Sequence, residues 1–107
     1  MNDYMLHASS LVGESWTALE NGRDCLKKLK AVQDYKVEME THAKELLSDM
    51  AGWAVGFEYW HTLDNARSIL AELYQIRAGI IEIDDFEDSL ANSLEWRMAL
   101  TEAQKAA

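Results

Sequence analysis

The chain has 107 residues and a net charge of −9, with 19 acidic and 10 basic side chains. A chain of this length folds as one domain around one core, and its acidic balance argues against binding to a phosphate backbone, which depends on Lys and Arg. The single cysteine excludes an intrachain disulfide. The first ten residues contain no basic segment followed by an apolar run, so we expect no signal peptide, no membrane anchor and a cytoplasmic protein.

The first predicted element is a helix that begins close to the first residue. Asn2 or Asp3 can cap it, and Asn21-Gly22 supplies a stop, since glycine readily adopts the left-handed conformation in which helices end. Its apolar residues recur at spacings of three and four, which places them on one helix face. They are Tyr4, Met5, Ala8, Leu11, Val12, Trp16 and Leu19.

From Cys25 onward the spacing alternates between four and three, the heptad pattern of helices that pack along a seam. The seam consists of Cys25, Leu29, Val32, Lys36, Met39, Ala43, Leu46, Met50, Trp53, Phe57 and Trp60. Only Lys36 interrupts its apolar character. The pattern favours one long or bent helix, about 55 to 60 Å long; the alternative is two helices that break near residues 33–37. Two shorter helices cover such a seam poorly, so we expect a homodimer, antiparallel or domain-exchanged, with Cys25 near an interface or in the core.

The most apolar part of the chain is Met50–Trp60, in which Glu58 is the only charged residue. A membrane span needs about twenty apolar residues, roughly twice the length of this run. The stretch is therefore predicted to be the central helix of the core, with Trp53, Phe57 and Trp60 buried.

After Trp60 the phase of the pattern changes, which predicts a third helix from Thr62 or Asp64 to a stop at Gly79. Its stripe consists of Leu63, Ala66, Leu70, Leu73, Arg77 and Ile80. The β-branched run Ile80–Ile83 can be locally extended. A last helix follows, with a stripe of Phe86, Leu90, Leu94, Met98 and Thr101. The whole prediction is an all-α fold, a four-helix bundle with a long or bent second helix, in a single domain covering residues 1–107.

One pair of residues has metal-ligand spacing. Glu58 and His61 form an ExxH motif, which resembles part of a ferritin-like di-metal site. Such sites also need glutamates from other helices, and the inward seam offers none. An ordinary Glu–His pair is therefore favoured, and a metal-binding bundle that uses this pair is the alternative. His42 with Glu38 and Glu45 has the same ambiguous spacing on the preceding helix, where such neighbours are ordinary surface pairs.

Motifs for catalysis or cofactor binding do not occur in the chain. The sequence contains no glycine-rich phosphate loop, no GxSxG, no HExxH, no paired CxxC and no EF-hand loop. Cys25 lies near basic residues but in no motif of a cysteine nucleophile, so a small buried hydrophobe is the favoured interpretation. We therefore expect a protein that is not an enzyme and that uses no cofactor.

Five acidic residues occur within seven positions, and no basic residue lies between Arg77 and Arg97. The five are Glu82, Asp84, Asp85, Glu87 and Asp88, called below the acidic segment. At a helix start, acidic residues meet the positive end of the helix dipole, and this explains two or three of them. The excess predicts a partner-binding site that docks on a basic surface of another protein, because acidic clusters speed such association through long-range steering.

A second function fits the same charge. Small acidic inhibitors encoded by phages block the nucleic-acid-binding site of a host defence enzyme, as anti-CRISPR-like or DNA-mimic proteins. The chain resembles them in size, charge and lack of motifs only. Competition with DNA or RNA for a basic partner distinguishes this inhibitor from a general protein-binding module.

Overall fold

A computed structural model describes the backbone of residues 3–53 and 59–93 and of residues 98, 101, 102, 104 and 105; it describes side chains for 3–49, 66–93 and the same five residues. The helices in these ranges are α1 (Tyr4–Asn21), α2 (Cys25–Trp53) and α3 (Tyr59–Asn92). Each helix contacts the other two, in a bundle with extents of 58 × 21 × 20 Å. Within the described residues, no helix has the length and apolarity needed to cross a membrane.

The helices run up, down and up. Contacts between α1 and α2 join His7 to Tyr35 and Glu14 to Lys28, so these two helices are antiparallel. Contacts between α1 and α3 join Ser9 to Glu82 and Trp16 to Phe86, so these two are parallel. The all-α prediction is confirmed, whereas the prediction of four helices is wrong because the described chain contains three.

The predicted boundaries of α1 are confirmed. Asp3 is the amino-terminal cap, and its carboxylate accepts a hydrogen bond from the backbone N–H of Leu6 at 3.0 Å. Gly22 has a φ of 68°, and its N–H donates to the carbonyl oxygen of Ala18. A left-handed residue at this place satisfies carbonyls that the end of a helix leaves without a partner.

The heptad seam faces inward along residues 25–46. Cys25, Val32 and Met39 are buried, while Leu29, Ala43 and Leu46 pack against the edge of the core. The Cys25 thiol donates to the carbonyl oxygen of Ala18 at 3.2 Å, and its predicted place in the core is confirmed. Because α1 and α3 cover this part of the seam within one chain, it no longer supports the prediction of a homodimer.

The prediction of a single second helix that extends to Trp60 is wrong. α2 (Cys25–Trp53) and α3, which begins at Tyr59, are antiparallel, so one continuous helix cannot contain both Trp53 and Trp60. Gly52 and Gly56 in this stretch each lower helix propensity by about 1 kcal/mol relative to alanine. The side chains of Trp53, Phe57 and Trp60, predicted to be core, lie outside the described residues.

The predicted stop at Gly79 and the extended run Ile80–Ile83 are also wrong, since α3 continues through both. Gly79 is buried, and a Cβ built there would lie 2.8 Å from Met39 Sδ and 3.0 Å from both Cβ and the carbonyl oxygen of Tyr4. Among the described glycines only Gly22 has a positive φ. Gly79 is therefore a contact point where three helices approach closely, and the two predicted helices are one.

Replacing Gly79 with alanine is expected to lower the free energy of unfolding by about 1 to 3 kcal/mol, because the Tyr4 backbone must move and overpacking outweighs the gain in helix propensity. Gly13→Ala is the matched control, since Gly13 is exposed within α1 and a Cβ there meets no atom within 4 Å. It should raise the free energy of unfolding by about 0.5 to 1 kcal/mol. Urea unfolding measures both; equal stabilisation by the two variants would contradict the close approach.

Ser15 is expected to be a destabilising core residue. Its side chain is 2% exposed, and its hydroxyl has no hydrogen-bond partner among the described residues. An unpaired buried polar group costs about 1 to 3 kcal/mol, so Ser15→Ala should stabilise the protein by about 0.5 to 2 kcal/mol. Ser10→Ala, on the exposed side of the same helix, controls for helix propensity. Thermal unfolding in which Ser15→Ala gains no more than Ser10→Ala would contradict this expectation.

Candidate functional site

The acidic segment lies inside α3 and not at a helix start. Glu82 follows the first residue of α3 by more than six turns, and Asp88 is about one turn from its last residue, Asn92. Near this end the helix dipole presents negative charge, so it disfavours carboxylates. The predicted explanation by capping and dipole is therefore wrong for these residues.

Two of the five carboxylates bind Lys36 of α2. Lys36 Nζ lies 2.7 Å from Asp84 Oδ1 and 3.3 Å from Glu87 Oε2, and the lysine side chain is 25% exposed. The hydrogen bond to Asp84 is the main cause that raises the pKa of Lys36, and the charge of Glu87 adds to it. The one polar position of the heptad seam thus neutralises part of the acidic segment and joins α2 to α3.

The other three carboxylates differ in their surroundings. Glu82 is half-buried and accepts a hydrogen bond from the Ser9 hydroxyl of α1 at 3.3 Å. Asp85 and Asp88 are exposed, and neither forms an ion pair with any residue that the structure describes. Of the predicted partner-binding residues, these two are the ones that are exposed and have no ion pair with the described part of the chain.

A polar network joins all three helices near the start of α1, and only its His42–Glu45 pair was indicated by the sequence. One oxygen of Glu72 on α3, Oε1, accepts a hydrogen bond from the Tyr4 hydroxyl at 3.0 Å and lies 2.9 Å from Nε2 of His42 on α2. Glu45 lies 3.8 Å from the other nitrogen of His42. His42 and Glu72 are 30 positions apart in the sequence, and no local spacing links them.

The network shifts two pKa values in opposite directions. The hydrogen bond to Glu72, with the charges of Glu72 and Glu45, raises the pKa of His42 above 6.5 in spite of burial. The hydrogen bonds from His42 and Tyr4 lower the pKa of Glu72. Both shifts favour the charged forms of the two side chains, so the arrangement suits an ion pair that joins α2 to α3.

An open groove of about 450 Å³ lies beside this network. Its lining consists of Tyr4, Tyr35, Glu38, Met39, Thr41, His42 and Glu45. The edge of the Tyr35 ring meets the ring of His7, with centroids 4.4 Å apart. Burial, with the nearby Tyr4 and Glu38, raises the pKa of Tyr35, so its hydroxyl stays protonated at neutral pH. The groove offers carboxylates, an imidazole and aromatic rings.

The metal candidates Glu58 and His61 lie outside the residues whose side chains are described. In the described part of the chain, no three His, Cys, Asp or Glu residues come together in a way that could hold a metal ion. The ExxH alternative therefore rests on the sequence alone. Comparison with protein-family models, curated proteins and solved structures found no match to this chain.

The stability contributed by the His42–Glu72 pair is expected to depend on pH. The raised pKa of His42 contributes stability that is complete below pH 6.5 and is lost as pH rises through the folded-state value. The lowered pKa of Glu72 contributes stability that is present above pH 4.5 and is lost as pH falls through its folded-state value. His42→Gln should therefore destabilise the protein more at about pH 5.5 than at about pH 8.5.

Both side chains of the pair are more than one-third exposed, at 38% and 39%. The difference between the two pH values should therefore be below about 1 kcal/mol. His7→Gln is the control, because His7 forms no ion pair with the described residues. Urea midpoints of the wild type and of both variants provide the measurement, and a His42→Gln effect that is equal at both pH values would refute the expected dependence.

Proposed function

We propose that this protein is a non-enzymatic binding module that docks on a basic surface of a partner protein through the acidic segment. Within that segment Asp85 and Asp88 make the contact, while Asp84 and Glu87 are already held by Lys36. Exposed charges at the rim of an interface mainly raise the association rate and set its dependence on salt. No cofactor is needed for this function.

The observation that carries the proposal is the placement of Asp85 and Asp88. Both are exposed, both lack an ion pair among the described residues, and Asp88 lies about one turn from the end of α3, where the dipole opposes negative charge. Their neighbours Asp84 and Glu87 add further repulsion that Lys36 compensates only in part. A basic partner that supplies the missing counter-charges explains why the chain keeps this unfavourable cluster of carboxylates.

Asp85→Asn combined with Asp88→Asn tests the proposal. The double variant should keep its fold and be as stable as the wild type or slightly more stable, because it removes two carboxylates that repel each other, one of them near the negative end of the dipole. Immobilised wild-type protein should capture a basic protein from cells of its source at about 0.05 M salt and release it at about 0.5 M. The double variant should associate with that protein about tenfold more slowly.

Glu20→Gln combined with Glu40→Gln is the matched control, since it changes the net charge equally at two exposed sites on α1 and α2. This control should bind as the wild type does, apart from a small effect of net charge. Surface plasmon resonance with the purified partner gives the rates. Equal losses in both double variants would show that net charge alone acts, and an unchanged rate in Asp85→Asn/Asp88→Asn would exclude the docking site.

The inhibitor that mimics nucleic acid is the second candidate, and one feature of α2 bears on it. Its exposed residues Asp34, Glu38, Glu45 and Asp49 fall on one helix face. They place one charge per roughly 7 Å of helix, against about 3.4 Å along one DNA strand, and Lys30 lies 2.8 Å from Asp34. The carboxylates on α2 are therefore too widely spaced to imitate the phosphates of DNA well. The exposed carboxylates of α3 support docking on a basic protein better. Competition of duplex DNA for the captured partner separates the two functions.

A further inference from the structure

α3 has apolar residues on two opposite sides. On its inner side Ile76, Ile83 and Phe86 belong to the core, where α1 and α2 both pack. On the far side Leu70, Tyr74 and Ile81 are 47%, 66% and 44% exposed. At about 100° of rotation per residue these three point within roughly 40° of one another, away from the inner side. No helix of the described chain covers them.

Charged residues continue this outer apolar side in a fixed order. Arg77 lies between Tyr74 and Ile81, while Asp85 and Asp88 follow Ile81 by about one and two turns on the same face. Arg77, Asp85 and Asp88 carry charge. None of the three forms an ion pair with a described residue. We call the set the outer stripe; it consists of Leu70, Tyr74, Arg77, Ile81, Asp85 and Asp88.

We propose that the outer stripe is a self-association surface, on which α3 packs against α3 of a second copy of this chain in the antiparallel direction. Arg77 precedes Ile81 by four positions and Asp85 follows it by four. A two-fold axis near Ile81 therefore brings Arg77 of one copy within about one turn of Asp85 and Asp88 of the other. The same operation brings the Tyr74 hydroxyl to the acidic end of the second copy, and Ile81 meets its own equivalent.

Charge complementarity selects this occupant and this direction. A parallel pair would place arginine beside arginine and carboxylates beside carboxylates, whereas the antiparallel pair forms two sets of opposite charges, one on each side of the contact between the two Ile81 side chains. A membrane surface fits less well, because anionic lipids repel a chain with a net charge of −9. The surface also differs from the heptad seam of α2, which is buried within the monomer along residues 25–46.

The stripe is short, about 27 Å from Leu70 to Asp88 at 1.5 Å per residue. An interface of this length falls below about 1,200 Å² in total, the range of weak complexes, so we expect a dissociation constant on the order of 100 µM. Sedimentation of the wild type from about 10 µM to 1 mM should show a monomer that converts to a dimer. A wild type that stays monomeric at about 1 mM would overturn the proposal.

Charge reversal identifies the surface. R77D alone, and D85R with D88R, should each weaken self-association about tenfold or more, because each brings like charges together at both contacts. Mixing the R77D chain with the D85R/D88R chain should restore association as a heterodimer, since every contact then joins opposite charges. Circular dichroism verifies that the fold is kept, which is expected because all three residues are exposed.

Two controls reverse exposed charges elsewhere. K44D on α2 and E20R with E40R should leave self-association within about twofold of the wild type. A dimer that persists in R77D, or a mixture that associates no better than its separate components, would overturn the antiparallel α3 pairing. The outcome is independent of the proposed docking function, which is measured against a different protein at concentrations where the chain is monomeric.

Discussion

The close approach of three helices at Gly79 is the constraint on which the rest of the bundle depends. With no side chain at this position, the backbone of Tyr4 and the thioether of Met39 lie where a Cβ would be. This contact sets the start of α1 against the middle of α3, and it brings the Tyr4 hydroxyl to Glu72 and thereby to His42. The polar network and the groove beside it are consequences of the same packing.

Lys36 has a comparable role at the polar edge of the interface between α2 and α3. A charged side chain in an apolar seam is costly unless it is paired, and the carboxylates of Asp84 and Glu87 provide the pairing. The lysine in turn allows acidic residues to follow one another within a continuous helix. Within the acidic segment, Asp84 and Glu87 are therefore bound to Lys36, whereas Asp85 and Asp88 face solvent.

The two proposed surfaces share these solvent-facing carboxylates. A basic partner and a second copy of the chain would both cover Asp85 and Asp88, so the two cannot bind at the same time. The amount of each complex then depends on the concentrations and affinities of the two ligands. A self-association in the range of 100 µM leaves the chain almost entirely monomeric at micromolar concentrations. Under the two proposals, docking on a partner is the dominant use of the acidic segment at low concentration, and pairing of α3 helices becomes important only when the protein is concentrated.

The sequence by itself determined the helical class, the boundaries of α1 and the inward face of α2. These depend on short-range rules, namely capping by Asp3, the left-handed stop at Gly22, and the three-and-four spacing that buries Cys25, Val32 and Met39. Only the tertiary structure decided that Gly79 continues a helix, that Lys36 pairs with α3, and that His42 meets Glu72. A glycine within a helix and one at its end look alike in sequence, because the difference lies in which distant backbone approaches it. Likewise, five clustered carboxylates suggest a helix start, and only the fold shows that they lie within α3 and that three of them contact residues up to 73 positions away.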